Sequence, residues 1–405
     1  MPTSCRSIRT RCRDQWAGLH VEGYAMEFIL MPDTNEKWGI ILITNEQVLE
    51  ALDDVEDPEV HRSIVELHMV KSIEINGAHV RVEVLLTIRG CPLHTTIERA
   101  VREKLLSLDG VRTVEVAIGH MNDEERARFA EIVRGKRSQT AIPAVLDPAL
   151  GIEFIAIASG KGGVGKSTVT AHLGYELGQL GLRVGIVDAD IYGFSIPGIF
   201  GVQLQKPTMI DDLIMPIELG NLRLISMQYF VPDNSPVVWR GPMLGKMLRN
   251  FFSQVYWGEL DVMLLDLPPG TGDIALDIHQ LIPKSKEIIV TTPHAGAAEV
   301  AVRAGLMGLR TNHEILGVVE NMSHFVCPGC GEKTYVFGQG GGERVAQDLQ
   351  TDLLAQIPIS NLEMETTSPF DTGGTQRESY QRLAERVMSA VRLGRRNLPK
   401  RSLYN

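Results

Sequence analysis

Residues 160–168 read Gly160-Lys161-Gly162-Gly163-Val164-Gly165-Lys166-Ser167-Thr168, and they fit the phosphate-loop pattern G-x-x-x-x-G-K-S/T. Glycines allow the backbone to curl so that its N–H groups point at phosphate oxygens. In such a loop Lys166 reaches the β- and γ-phosphates, and the Ser167 hydroxyl is a ligand for Mg²⁺. The stretch therefore predicts a nucleotide site; the alternative is a glycine-rich turn with incidental lysines.

The flanking sequence provides the context that this motif requires. Residues 152–159 form a short apolar run that suits a buried strand, and residues 168–180 carry apolar side chains at helical spacing. A helix beginning at the loop adds the positive end of its dipole to the phosphate site. The second lysine, Lys161, follows the first glycine directly and lies too far back in the loop to duplicate Lys166. We therefore expect Lys161 to point away, at a nucleotide in a partner subunit.

Composition limits the classes of function. A chain of 405 residues predicts two or three domains, and a net charge of −10 argues against a general nucleic-acid binder, which would carry a basic face. No apolar run approaches the length of a membrane span. The five cysteines are too few and too scattered for a disulfide framework. We therefore expect a reducing compartment, the cytoplasm, as the location of the protein. An organellar location is the alternative, because the first thirteen residues are rich in arginine, as a transit peptide is.

Changes in pattern along the chain predict its organisation. We expect an N-terminal extension over 1–45, a small α/β domain over 46–134, a linker over 135–150, a larger domain over 151–392 and a basic tail over 393–405. In the small domain Asn45 is expected to cap a helix over 46–52. The remaining elements expected there are strands over 80–86 and 111–116 and helices over 95–108 and 123–137.

The larger domain alternates short apolar strands with helices. The strands are expected over 183–187, 222–226, 262–265, 287–290 and 315–319, besides the one that precedes the phosphate loop. Strands that are nearly continuously apolar are buried on both faces. The fold class is therefore α/β: a mainly parallel sheet covered by helices on both faces, preceded by a small α/β domain.

Carboxylates follow two of these strands. Asp188 and Asp190 end the 183–187 strand, and Asp266 ends the 262–265 strand. Ligands of open α/β sheets gather at the carboxyl ends of strands, so we expect all three near the nucleotide. Asp190 is predicted to orient the attacking water, while Asp188 and Asp266 are predicted to hold Mg²⁺ directly or through water. The alternative is that either Asp188 or Asp190 only caps the segment that follows it. The turn-rich segment 268–273 is predicted to sense the γ-phosphate, with a rigid turn as its alternative.

Two cysteines separated by two residues, Cys327-Pro328-Gly329-Cys330, can converge on one metal. They provide only half of a four-thiolate site, and a symmetric dimer would provide the other half on its two-fold axis. A bridging structural zinc, a redox dithiol and two inert cysteines are the other interpretations. Cys91 is either a reactive, transiently metal-binding thiol or a buried structural one.

Several ordered motifs of the larger domain resemble the Mrp/ApbC/Nbp35 family of deviant Walker A ATPases, to which MinD, ParA and the nitrogenase iron protein are related. They are the two lysines of the phosphate loop and the segments 188–193, 266–273 and 320–323. The resemblance implies an ATP-binding homodimer in which Lys161 contacts nucleotide across the interface and Asn321 contacts the adenine. It also implies a labile [4Fe–4S] cluster that bridges the subunits through Cys327 and Cys330.

The small domain resembles the MIP18 (DUF59) domain, which occurs ahead of Mrp ATPases and in separate iron–sulfur assembly factors. The resemblance depends on Asp57-Pro58-Glu59, Leu86-Thr87-Ile88 and Gly90-Cys91-Pro92. Together the two resemblances imply a slowly ATP-hydrolysing iron–sulfur cluster carrier, with apo-proteins and cluster assembly scaffolds as partners. A MinD- or ParA-like nucleotide-gated positioning switch and a zinc-stabilised scaffold are the alternative functions.

Overall fold

The computed structural model describes residues 43–88, 93–134, 143–190, 193–231, 241–270, 273–359, 370 and 375–393. The chain divides into two units, Met1–Lys136 and Arg137–Asn405. The predictions made for residues 1–42, Cys91 and residues 394–405 therefore lie outside the described residues. Among the helices within the described ranges, none combines the length and the apolar character needed to cross a bilayer.

In residues 43–88 and 93–134, the first unit forms a three-stranded sheet and three helices. The elements are α1 (Asn45–Leu52), β1 (Val70–Asn76), β2 (His79–Leu86), α2 (His94–Leu106), β3 (Thr113–His120) and α3 (Asp123–Arg134). β2 is the central strand and pairs antiparallel with β1 and parallel with β3. Its side chains alternate, so that Val80, Val82 and Val84 are fully buried.

Three details of this unit differ from the sequence predictions. Thr44, and not Asn45, caps α1: its hydroxyl accepts from the Gln47 N–H at 3.2 Å, and the Gln47 side chain accepts from the Thr44 N–H at 3.0 Å. This reciprocal pair is a capping box, which combines a serine or threonine at the cap with a glutamate or glutamine three positions later. β1 was not predicted, and β3 continues four residues beyond 116 because it follows β2 along its whole length.

The second unit is built on an eight-stranded sheet in the order β15-β12-β11-β4-β10-β5-β9-β8. The strands of the unit are β4 (Glu153–Ser159), β5 (Val184–Asp188), β6 (Thr208–Ile210), β7 (Leu213–Met215), β8 (Ile217–Leu219), β9 (Leu222–Ser226), β10 (Val262–Asp266), β11 (Lys286–Thr291), β12 (Glu314–Glu320), β13 (Phe325–Val326), β14 (Lys333–Thr334) and β15 (Leu353–Gln356). Four of them lie outside the large sheet: β6 pairs with β7, and β13 pairs with β14. Its helices are α4 (Lys166–Gln179), α5 (Ile196–Ile199), α6 (Gly241–Ser253), α7 (Asp273–Leu281), α8 (Ala295–Arg310), α9 (Gly341–Asp348) and α10 (Thr375–Ala390).

The predicted parallel sheet is confirmed. Every neighbouring pair from β15 to β9 is parallel, and only the edge strand β8 is antiparallel. The five strands expected besides β4 are all present within one residue of their predicted ends. Two separate groups of buried apolar side chains lie against the sheet, one including residues of α4 and α10 and the other including residues of α6, α8 and α9. Burial on both faces explains why the strands are apolar without alternation.

Strand order brings the carboxylates together. β10 lies between β4 and β5, and in this register Asp266 is paired with Ile157 on one side and Asp188 on the other. The ends of three neighbouring strands therefore meet beside the phosphate loop. Residues 143–150, which were expected to belong to the linker, form two short 3₁₀ turns, and Val145 is buried in the second unit's core. They therefore pack as part of that unit.

Candidate functional site

The phosphate loop connects β4 to α4 and is held in place by backbone geometry. Gly163 and Gly165 both adopt a positive φ of 81°, a backbone conformation that is strained for residues with a side chain. A Cβ on Gly165 would also overlap the amide nitrogen of Asn321. At Gly160 a Cβ would lie 2.5 Å from the backbone nitrogen of Ala301 and overlap Val300. The loop is therefore fixed between α8 on one side and the residues that follow β12 on the other.

The Lys166 ammonium is buried against carboxylates. Its Nζ lies 2.6 Å from Asp266 Oδ2 and 4.0 Å from Asp190 Oδ2. Asp266 also accepts hydrogen bonds from the Ser167 hydroxyl at 2.6 Å and from the Thr170 hydroxyl at 2.7 Å. Both Asp266 oxygens are thus oriented by hydroxyls from the first five residues of α4.

Asp188 is fully buried next to Asp266. Burial, with the neighbouring charge of Asp266 as a second cause, raises the pKa of Asp188 from 3.8 to about 7. The Ser226 hydroxyl donates to Asp188 at 3.0 Å, and the Asp190 N–H contacts its other oxygen at 3.3 Å. Asp190 in turn accepts from the Gly193 N–H at 3.1 Å. The three acids, which were predicted from the ends of two strands, are therefore brought together around Lys166.

These groups fit a bound magnesium ion. Mg²⁺ prefers hard oxygen ligands, and the Ser167 hydroxyl and the Asp266 carboxylate provide them side by side. The negative charge of Asp266 disfavours the ionised form of Asp188, and a divalent cation beside them would offset this repulsion. Whether Asp188 and Asp266 act directly or through water, and whether Asp190 positions the attacking water, stay predictions.

Asn321 follows β12 and reaches under the phosphate loop. Its side-chain nitrogen donates to the Val164 carbonyl at 2.9 Å, and its backbone N–H donates to the Thr291 carbonyl at 2.8 Å. The side chain is buried, so in this structure it supports the loop. The predicted contact between Asn321 and adenine stays a prediction.

Lys161 differs from Lys166 in its surroundings. It is exposed at the start of the loop, while Lys166 is buried. The two lysines therefore lie in different surroundings, and the contact of Lys161 across a dimer stays a prediction. Thr168 lies in the first turn of α4 together with Ser167.

The segment after β10 remains attached to β4. The Leu267 N–H donates to the Ile157 carbonyl at 3.1 Å, and the Gly270 N–H donates to the Ser159 carbonyl at 2.8 Å. Gly270 has a φ of 90°, which a turn at this point requires. Residues 271–272 lie outside the described ranges, and α7 begins at Asp273. The loop expected to sense phosphate is thus continuous with Asp266 at one end and with α7 at the other.

Cys327 and Cys330 lie on a small hairpin. β13 and β14 form its two strands, and the Cys327 N–H donates to the Glu332 carbonyl at 3.0 Å, while the Gly331 N–H donates to the Cys327 carbonyl at 2.8 Å. Both thiols are free, and Cys330 is exposed. Backbone N–H groups of Cys330 and Gly329 that hydrogen-bond to the Cys327 sulfur lower the pKa of this thiol. The turn therefore favours the thiolate, which is the form that binds metal.

Two residues of the site were not predicted from the sequence. Thr170 holds the second oxygen of Asp266, and Ser226 holds Asp188. Thr170 lies four positions after Lys166 and hence on the same side of the helix, a spacing that would have identified it. Ser226 ends β9, the strand next to β5, and only the strand order places it beside Asp188.

Comparison with known protein families gives two matches. A family model described as the NUBPL iron-transfer P-loop NTPase matches residues 152–391. A second model, described as an iron–sulfur cluster assembly protein, matches residues 45–117. The two matches correspond to the larger and the smaller of the two units.

Individual relatives extend over most of the chain. An iron–sulfur cluster carrier protein of Bacillus subtilis (strain 168) is 41% identical over 352 residues, which cover 85% of this chain and 98% of that protein. One from Mycobacterium leprae (strain TN) is 46% identical over 319 residues, covering 77% and 82%. Among solved structures, a nucleotide-binding protein of Archaeoglobus fulgidus in complex with ADP is 40% identical, covers 52% of this chain and 83% of its own, and has a TM-score of 0.45.

Proposed function

Because this chain belongs to the family of NUBPL iron-transfer P-loop NTPases, we propose that it is an iron–sulfur cluster carrier that binds and hydrolyses ATP and delivers its cluster to apo-proteins. Relatives that are 41% and 46% identical carry the name iron–sulfur cluster carrier protein. The first unit matches a family of iron–sulfur cluster assembly proteins, which supports a function in the same process.

The phosphate loop and its acids are proposed to perform the nucleotide chemistry. The loop N–H groups and Lys166 bind the phosphates, and Asp190, 4.0 Å from the Lys166 ammonium, orients water for attack on the γ-phosphate. Asp266 and Ser167 hold Mg²⁺, and Asp188 contributes to the same metal site directly or through water. When bound, the ion neutralises charge that develops on the phosphate oxygens. Turnover is expected to be slow, because hydrolysis serves here as a switch.

The cluster is cargo and is proposed to be held by the thiolates of Cys327 and Cys330. Iron–sulfur clusters are held by four thiolates in most proteins, so two copies of the chain would share one [4Fe–4S] cluster across a two-fold axis. The lowered pKa of Cys327 favours its thiolate, the form that binds metal. Lys161, exposed at the start of the phosphate loop, is proposed to reach the nucleotide of the partner subunit.

One observation carries the proposal that ATP controls the cargo. The Asn321 side chain donates a hydrogen bond to the Val164 carbonyl of the phosphate loop, and Cys327 follows only six residues later on the same segment. The base of the hairpin is in turn fixed by the Ser323 N–H to Ile357 and by the Ile359 N–H to His324, at 2.9 and 2.8 Å. A shift of the phosphate loop is therefore passed to the thiol hairpin over a short, hydrogen-bonded segment.

Cluster transfer from a cysteine variant tests this function. The Cys327→Ala protein is reconstituted anaerobically with iron and sulfide, and delivery to an apo-ferredoxin is followed by the activity that the acceptor regains. We expect loss of transfer with unchanged ATP binding, because the thiol lies on the hairpin and outside the phosphate loop. Thr334→Ala, an exposed change on the same hairpin, is the matched control and should transfer normally.

Two results would contradict the proposal. Delivery of cluster by Cys327→Ala at the wild-type rate would show that the hairpin does not hold the cargo. Zinc that is held by the hairpin thiols, and is therefore lost from Cys327→Ala, in anaerobically purified protein that contains no iron would favour the scaffold function instead. An Asn321→Ala variant tests the coupling: it should still bind cluster, and its rate of cluster transfer should no longer depend on ATP, even at ATP concentrations that saturate its nucleotide site.

A further inference from the structure

Three polar side chains are buried together away from the residues assigned above. His279 lies in the last turn of α7, Glu287 is the second residue of β11, and His313 directly precedes β12. Their side chains are almost inaccessible, with residue exposures of 5%, 0% and 3%. One ligand atom from each lies within 4.8 Å of the other two. Buried histidine and glutamate side chains at this separation need a reason, because burying polar groups costs free energy unless they are paired.

Hydrogen bonds within the described residues account for only part of the cluster. The Thr311 hydroxyl lies 3.2 Å from His279 Nδ1 and 2.9 Å from His313 Nδ1, so it holds the same nitrogen of both rings. The rings lie with centroids 4.3 Å apart. His279 Nε2 and Glu287 Oε1 are in direct contact, but not along a hydrogen-bonding direction. Within the described part of the chain, His279 Nε2 and both Glu287 oxygens thus have no hydrogen-bond partner.

The backbone around Glu287 is shaped to admit its carboxylate. A Cβ on Gly308 of α8 would lie 2.8 Å from Glu287 Cδ and would overlap one of the carboxylate oxygens. Only glycine at this position allows the carboxylate to lie against the helix. His313 Nε2 donates to the Ile282 carbonyl at 3.2 Å. Four segments of the chain therefore converge on a cluster of nitrogen and oxygen atoms.

We propose that His279, Glu287 and His313 bind a divalent first-row transition metal, of which zinc is the test case. Two imidazoles and one carboxylate are ligands that zinc takes in proteins. Metal-binding histidines are usually fixed by a hydrogen bond to their second nitrogen. Thr311 provides this bond at Nδ1 of His279, and the Ile282 carbonyl provides it at Nε2 of His313, which leaves His279 Nε2 and His313 Nδ1 as the metal ligands. The metal would satisfy the Glu287 carboxylate and His279 Nε2, which hydrogen bonds leave unsatisfied.

The site has a structural consequence beyond cluster transfer. α7 begins at Asp273, at the end of the segment that follows Asp266, and His279 lies at its other end. A metal at His279 would fix the far end of this helix to β11 and to the residue that precedes β12. The site is independent of the thiol hairpin, so it can exist whether or not the protein carries a cluster.

Metal analysis tests the site without reference to activity. The full chain with Cys327→Ser and Cys330→Ser is produced in zinc-supplemented medium, which lets the ion enter during folding, and the bound metal is then measured. We expect about one zinc per chain, and a lower thermal midpoint after removal of the metal with chelator under partly denaturing conditions and refolding. Cobalt in place of zinc should give visible d–d absorption without thiolate charge transfer, because nitrogen and oxygen are the ligands.

Substitutions in the same background locate the metal. Glu287→Gln keeps the size of the side chain and should lose the bound zinc, while His120→Gln, a change at an exposed histidine of the first unit, should keep it. A background protein that contains no zinc and whose thermal midpoint responds to neither chelator nor zinc would overturn the proposal and leave a buried His–Glu contact only. Zinc retained in full by Glu287→Gln would overturn it as well.

Discussion

At the scale of single residues, the buried acids around Lys166 show what spacing along a sequence can and cannot predict. Asp188, Asp190 and Asp266 were predicted because each follows an apolar strand, and strand ends meet at one edge of a parallel sheet. Two of the hydrogen bonds that orient Asp266 and Asp188 come from Thr170 and Ser226, which belong to no recognisable motif. Such partners depend on neighbouring backbones, so a single sequence identifies them poorly.

His172 gives a prediction at the same scale. It is buried in α4 between aromatic rings, with the Tyr380 ring stacked at a centroid distance of 4.3 Å. Burial lowers its pKa from 6.5 to about 4. His172 therefore takes up a proton near pH 6.5 in the unfolded chain but only near pH 4 in the folded chain. Because the unfolded state binds more protons between these values, the free energy of unfolding decreases as the pH falls from 6.5 to 4.

We expect His172→Phe to flatten this dependence. The ring keeps its aromatic contacts, while the wild type should lose up to about 3 kcal/mol relative to the variant between pH 6.5 and 4. Urea unfolding at several pH values measures the difference. His120→Phe, at an exposed position, should leave the slope of the wild type unchanged. Parallel pH profiles for His172→Phe and the wild type would contradict the prediction.

At the scale of elements, the packing of α8 on the phosphate loop gives a second prediction. Gly160 touches the backbone of α8, whereas the nearest atom to a Cβ on Gly162 would be Pro269 Cγ at 3.9 Å. Because main chain cannot move aside as a side chain can, Gly160→Ala should lower the free energy of unfolding by about 2 kcal/mol. Gly162→Ala is the matched control.

Thermal unfolding without nucleotide measures this effect, since the readout then does not depend on contacts with phosphate. Gly160→Ala should unfold several degrees below the wild type, and Gly162→Ala close to it. Equal midpoints for the two alanine variants would show that α8 does not restrict the loop. The sequence predicted the loop and both flanking elements, but the contact of Gly160 with residues 300–301 depends on how α8 crosses β4.

At the scale of the whole molecule, the second unit leaves apolar side chains exposed beside the thiol hairpin. Tyr335, Val336 and Phe337 are 43%, 58% and 46% exposed and follow β14 directly. Neighbouring apolar side chains on a surface are typical of an interface. If two copies share a cluster through this hairpin, these residues lie where the second copy would cover them.

Phe337→Ser is therefore expected to weaken the dimer. Sedimentation of the ATP- and cluster-loaded protein should show a dissociation constant raised about tenfold or more, because burial of an aromatic side chain contributes over 1 kcal/mol to an interface. Leu204→Ser is the matched control, since Leu204 is 90% exposed elsewhere in the unit. A dimer of unchanged affinity in Phe337→Ser, or weakened equally by both changes, would remove this surface from the interface.

The sequence by itself determined the α/β class, the parallel strands and the positions of the phosphate loop, the acids and the cysteine pair. It could do so because glycine loops, apolar strands and closely spaced thiols depend on residues that are near one another in the chain. Tertiary structure alone decided that Asn321 supports the phosphate loop, that Ser226 holds Asp188, and that His279, Glu287 and His313 meet. These contacts join residues on different elements, and the order of strands and the packing of helices between them set which side chains face each other.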